Sequence, residues 1–154
     1  MKATTTIPRP LRFIITTIEP CTTLYGVYVG LFRPEVLMPY YFSRGTIAYT
    51  PDTKCLYTQL AGLWALFAFI LGVLLPSVDD VVFWRRACLG CLLVDVSYFY
   101  AMSEGGGGWG GFLNFATYTA WDWYTLLASV ALTLVRFMVV LGVGVKGEGE
   151  KKKI

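Results

Sequence analysis

Three ionisable side chains sit deep inside apolar stretches of this sequence: Glu19, Asp95 and Arg136. Inside a bilayer such a group costs on the order of 2.5 to 3.5 kcal/mol at a helix centre, so each one needs a partner. Two acids facing one base leave one carboxylate without a full counter-charge. A carboxylic acid that keeps its proton in a lipophilic cavity is a general acid. Glu19 and Asp95 are therefore the candidate acid and base, with Arg136 as their charge partner. Tyr98, one helical turn beyond Asp95, is a second donor, and Asp122 adds polar support. The same charges also admit a structural reading, in which Arg136 neutralises the acids and small neighbours let helices approach closely.

The residues that are missing narrow the chemistry. With no histidine, Ser-His-Asp and Cys-His catalysis, the His-rich metal boxes of membrane oxygenases and haem ligation by histidine are all excluded. No cofactor and no metal site is implied. Cys88-x-x-Cys91 is a lone CxxC without a second pair, and reads as small residues packed at helical spacing. Asp79-Asp80 has no facing acidic run and reads as a solvated turn capping the next helix. Glu104 to Gly111 lacks the Lys-Ser/Thr of a phosphate loop and reads as a flexible linker.

The elements that must position these groups are apolar helices. Of the 154 residues, 56% are hydrophobic and only 15% charged, with a mean hydropathy of +0.58, a balance that soluble domains rarely reach. Four stretches have the roughly 20-residue length of a membrane-spanning helix. They are expected at about 11–32, with Pro20 kinking the first, then 55–75, 83–102 and 119–145. The last opens with the aromatic run Trp121-Asp122-Trp123-Tyr124, of the kind that favours the headgroup level. The reading is an all-α integral membrane protein, one four-helix antiparallel domain over 1–154 with a short basic tail at 146–154.

Periodicity places the chemistry on single faces. Arg12, Thr16, Glu19, Thr23, Gly26 and Gly30 recur at helical spacing, as do Cys88, Cys91, Asp95, Tyr98 and Met102, and Asp122, Thr125, Ser129, Thr133 and Arg136. Three such seams facing one another give a polar-lined interior in which Glu19 and Arg136 lie at similar depth, with Asp95 somewhat deeper, so that the three can meet. Gln59 and Asp122 are expected nearer its other end.

Topology follows from the basic residues. Four crossings collect Lys2, Arg9, Arg12, Arg85, Arg86, Lys146, Lys151, Lys152 and Lys153 on one side and leave Arg33, Arg44 and Lys54 on the other, so the N- and C-termini are cytosolic. On a cytosolic tail, Lys151-Lys152-Lys153-Ile154 matches the dilysine signal that returns proteins to the endoplasmic reticulum. The net charge of +3 is small and dispersed, and no nucleic-acid partner is indicated.

Several segments carry a resemblance: Pro8-Arg9-Pro10-Leu11-Arg12 leading into Ile18-Glu19-Pro20, then Phe32-Arg33-Pro34-Glu35, Gln59-Leu60-Ala61, Trp84-Arg85-Arg86, Leu92-Leu93-Val94-Asp95, Trp121-Asp122-Trp123, and Leu141-Gly142-Val143-Gly144. Over nearly its whole length the chain resembles a family of small four-helix fungal membrane proteins classed as a domain of unknown function. That resemblance implies the fold and makes Glu19, Asp95, Asp122 and Arg136 its recurrent polar positions, with Tyr98 standing where a histidine is expected. In shape alone the chain is similar to emopamil-binding sterol isomerases and membrane-bound terpene cyclases, which use buried acids on isoprenoids.

The functional expectation is an endoplasmic-reticulum protein that binds a lipophilic small molecule and performs carboxylate acid-base chemistry on it, such as isomerisation or cyclisation. The alternative is a non-catalytic scaffold or lipid-binding protein. Partners would be the lipophilic ligand, membrane lipid, a second copy of the chain, or other membrane enzymes.

Overall fold

The computed structural model describes residues 1–41 and 49–143. The middle of the first long loop, the expected end of the fourth helix beyond 143 and the tail Lys151-Lys152-Lys153-Ile154 lie outside the described residues. Among those described, every regular element is helical.

A single turn, α1 (Ala3–Thr6), precedes α2, which runs unbroken over residues 9–32. After α3 (Pro34–Tyr41) come α4 (Pro51–Ser77), α5 (Val81–Gly105), the short α6 (Gly108–Phe112) and α7 (Ala120–Leu141). The two ends of α7 have local causes. Thr119 and Asp122 form a reciprocal capping box at its start, while Gly142, in the left-handed region at φ 74°, ends it at Leu141. Helix α5 begins where the Asp80 carboxylate accepts the Val82 N–H at 3.2 Å, and it runs on to Gly105, past the expected end at 102.

Pro20 does not break α2, and Pro76 does not break α4. Each proline lacks the N–H that would bond four residues back, and its ring would crowd that carbonyl. In both helices one wider π turn ends two residues before the proline, at Ile14–Ile18 and at Ile70–Leu74. The N–H groups of Glu19 and Leu75 reach back five residues, to Ile14 and Ile70. The extra residue in each turn accommodates the proline, so the helical run continues past it.

Helices α2 and α4 pack antiparallel along their length. Gly72 meets Pro20, Gly26 lies against the Trp64 ring and Gly30 against Ala61. A Cβ on Gly26 or Gly30 would stand 3.1 or 3.2 Å from those neighbours, which is why small residues occupy this seam. Helices α5 and α7 form the second pair.

The main core joins both pairs: Ile15, Leu71, Leu75, Trp84, Cys88, Cys91 and Val139 are buried together. The N-terminal segment closes one end of it. Ala3 and Ile7 enter the core, the Asp79 carboxylate takes the Thr4 N–H at 2.7 Å and the Thr4 hydroxyl at 2.9 Å, and the Val81 N–H bonds to the Met1 carbonyl. Asp80 thus caps a helix as expected, whereas Asp79 fastens the N-terminus.

The glycine-rich stretch, expected as a linker, forms a turn and the short helix α6. Gly107 and Gly108 both adopt φ of 85°, turning the chain into α6, and a Cβ on Gly111 would lie 2.1 Å from the Gly106 carbonyl oxygen. Only glycine fits there.

Two helices, α4 and α7, are long and apolar enough to cross a membrane. Large apolar side chains cover their outer faces, among them Leu63, Leu66, Phe69, Leu127 and Leu134. Helix α2 carries Arg9, Arg12 and Glu19, and α5 carries Arg85, Arg86, Asp95 and Glu104, which lowers the apolarity of both.

Candidate functional site

The site is organised around one side chain. Arg136, 3% exposed, lies five residues before the end of α7 and points inward, at the end of the seam that runs through Thr125, Ser129 and Thr133. Its Nη2 faces Oε1 of Glu19 on α2, and its Nη1 faces Oδ1 of Asp95 on α5. The Phe67 ring of α4 covers the guanidinium, 5.4 Å from its carbon. All four long helices therefore meet at this one cation, which receives charge from two of them and a π face from a third.

The local structure explains how each acid arrives there. The π turn Ile14–Ile18 immediately precedes Glu19 and sets its angular position about the helix axis. Glu19 is 2% exposed, and the hydroxyls of Thr22 and Thr23 both donate to its backbone carbonyl at 2.8 Å. On α5, Asp95 follows Cys88 and Cys91 along the inward face. Its Oδ2 accepts the Thr133 hydroxyl at 3.0 Å, leaving Oδ1 to Arg136. Thr133 precedes Arg136 by three residues, so α7 delivers a hydroxyl and a guanidinium to the same carboxylate from one face.

The two acids are not equivalent. The Glu19 side chain is enclosed, and its Oε2 has no hydrogen-bond partner among the described residues. The Asp95 side chain is 15% exposed and has both oxygens engaged. The cluster holds one carboxylate more than it holds cations, so a single proton shared between the acids makes it neutral.

The remaining candidates are less central. Tyr98 lies one turn beyond Asp95, half-buried and edge-on to Phe99 at 6.1 Å. Asp122 is at the other end of α7, about 21 Å from Arg136 at roughly 1.5 Å per residue, where it accepts the N–H and hydroxyl of Thr119, both at 2.8 Å. It is a helix cap and does not join the cluster. Gln59, expected in the interior, is on the outside of α4. Cys88 and Cys91 are buried free thiols in the apolar core.

Two participants were not singled out from sequence. Phe67 carried no signal beyond being apolar. Thr133 was on the α7 seam, and its spacing from Arg136 could have named it as a ligand of the same acid. Among the described residues no group of three or more His, Cys, Asp and Glu is placed to hold a metal ion.

No curated protein and no solved structure matches the chain. The family model for a domain of unknown function, DUF7704, matches residues 4–146. That match takes in all four long helices together with Glu19, Asp95 and Arg136, and the chain belongs to this family.

Proposed function

We propose that the chain is a multi-pass protein of the endoplasmic-reticulum membrane, crossing it with α2, α4, α5 and α7 and keeping both termini cytosolic, and that it acts on a lipophilic small molecule by carboxylate acid-base chemistry. The observation that carries the reading is the pair of acids on one buried guanidinium. Helices α2 and α5 match the other two in length, and their deep charges are drawn inward onto Arg136 rather than left to lipid.

In this reading the residues have separate tasks. Asp95, the more accessible acid, exchanges the proton with the ligand. Glu19 holds Arg136, and Arg136 stabilises whichever carboxylate is left charged. Tyr98 is the neighbouring donor on the same helix. Protonation of a double bond by the acid, followed by loss of a proton from the adjacent carbon to the carboxylate, moves the double bond with no net change in protons. An isoprenoid or another secondary-metabolite intermediate suits this chemistry, because its cation intermediates need an anionic, water-poor surrounding.

The enclosure of Glu19 favours a second reading. There the cluster is structural, and the chain is a lipid-binding scaffold for other membrane enzymes. Asp95→Asn and Glu19→Gln separate the two. The enzyme reading requires folded, correctly located variants that have lost turnover. Under the scaffold reading abundance or partner binding changes instead.

A further inference from the structure

Helix α4 carries a second polar feature, on its outer side. Cys55, Gln59, Gly62, Leu66, Phe69 and Val73 follow one another at alternating steps of four and three residues, and all six are exposed. Alternation of four and three is the 3.5-residue period of a seam along which two helices pack with a slight left-handed crossing. The stripe is apolar along the four turns beyond Gln59. The Gln59 side-chain amide makes no hydrogen bond among the described residues, and a Cβ added at Gly62 would meet nothing within 4 Å.

An amide turned towards hydrocarbon leaves two donors and an acceptor unsatisfied, a cost that drives association of membrane helices. From this we infer that α4 is the interface of a homodimer in which Gln59 of one copy bonds Gln59 of the other. A second copy is the occupant because the amide is self-complementary, each group both donating and accepting. Two copies inserted in the same direction are related by a twofold axis along the membrane normal, which sets every residue of α4 at the depth of its own counterpart. Gln59 then meets Gln59, Gly62 permits the close approach one turn away, and Cys55 faces Cys55 one turn before. A single polar residue in such a seam fixes the register of the pair.

The inference rests on α4 crossing the membrane, and the test keeps the two apart. Full-length protein with Cys21→Ser is oxidised with copper phenanthroline in native membranes and, separately, after reconstitution at increasing lipid-to-protein ratio. The expected result is a disulfide-linked dimer that persists on dilution with lipid, disappears with Cys55→Ser, and falls about three- to tenfold with Gln59→Leu or Gly62→Ile. Neither substitution touches the interior. A Tyr100→Cys probe, exposed near the end of α5 at about the depth of Cys55, in a Cys21→Ser, Cys55→Ser background, gives the collision rate. Cross-linking through Cys55 no faster than through that probe, or unchanged by Gln59→Leu, overturns the dimer. Extraction of the wild-type chain by alkaline carbonate would instead overturn the membrane crossing itself.

Discussion

Gly72 of α4 lies so close to Pro20 of α2 that a Cβ on it would stand 3.1 Å from the Cβ and 3.3 Å from the Cγ of the proline. The contact joins the two π turns, since Gly72 belongs to Ile70–Leu74 and Pro20 follows Ile14–Ile18 by two residues. Glu19 is next to Pro20, so the spacing of α2 and α4 at this point also sets the position of an acid on Arg136.

Larger residues at Gly72 should therefore force the pair apart. Gly72→Val is expected to cost on the order of 1 to 3 kcal/mol, the usual range for overpacking. Gly62→Ala, on the open side of the same helix, should be neutral or should stabilise the isolated chain by up to about 1 kcal/mol through helix propensity. Thermal unfolding of the two variants in detergent compares them. Equal losses at both positions would show that α2 and α4 are not in close contact at Pro20.

The charge cluster should behave as one unit. Arg136→Met leaves two buried acids without their cation and is expected to destabilise by about 3 to 5 kcal/mol. Adding Glu19→Gln and Asp95→Asn to that variant should recover most of the loss, so that the three substitutions are far from additive. Additive losses, measured by unfolding of the single, double and triple variants, would mean the side chains do not meet.

The N-terminal clasp should respond to acid. The Thr4 backbone N–H, and then its hydroxyl, hold the Asp79 carboxyl below its usual range, and the nearby Lys2 and Arg12 charges act in the same direction. A group depressed in the folded state lends stability that is present above its unfolded value, about 3.9, and is lost as pH falls through the depressed one. Trp84, whose indole N–H donates to the Val78 carbonyl at 2.8 Å, packs in the same core cluster as Ala3 and Ile7 and reports the release. Its emission should shift on acidification in the wild type, and the Asp79→Asn variant should lack that acid step.

Much of this architecture was legible because helical period and burial act on the same residues. Thr16, Glu19, Thr23 and Gly30 on α2, and Thr125, Thr133 and Arg136 on α7, face inward as their spacing requires. The meeting of Glu19, Asp95 and Arg136 followed from charge balance and depth. The π turns were not legible, because a proline inside an apolar run states only that one backbone bond is lost and not how the helix accommodates the loss. Asp122 lies at the far end of α7, as its position in the sequence requires, but its carboxylate is engaged in the Thr119-x-x-Asp122 capping box, a pattern already present in the sequence, rather than in a polar interior. Gln59 was expected inside on polarity alone. The rotation of α4 is set by Gly26 and Gly30 of α2 against Trp64 and Ala61, and that rotation turns Gln59 outward.

The proposed acid-base chemistry at Arg136 is put to the test by mass spectrometry of small molecules co-purifying with wild-type protein and with Asp95→Asn, from microsomes of a host supplied with isoprenoid and polyketide extracts. A specific lipophilic compound that accumulates on the variant and is converted by the wild type is the predicted result. Bulk phospholipid alone on both proteins, or full turnover by both Asp95→Asn and Glu19→Gln, would contradict it and leave the cluster as a structural clamp.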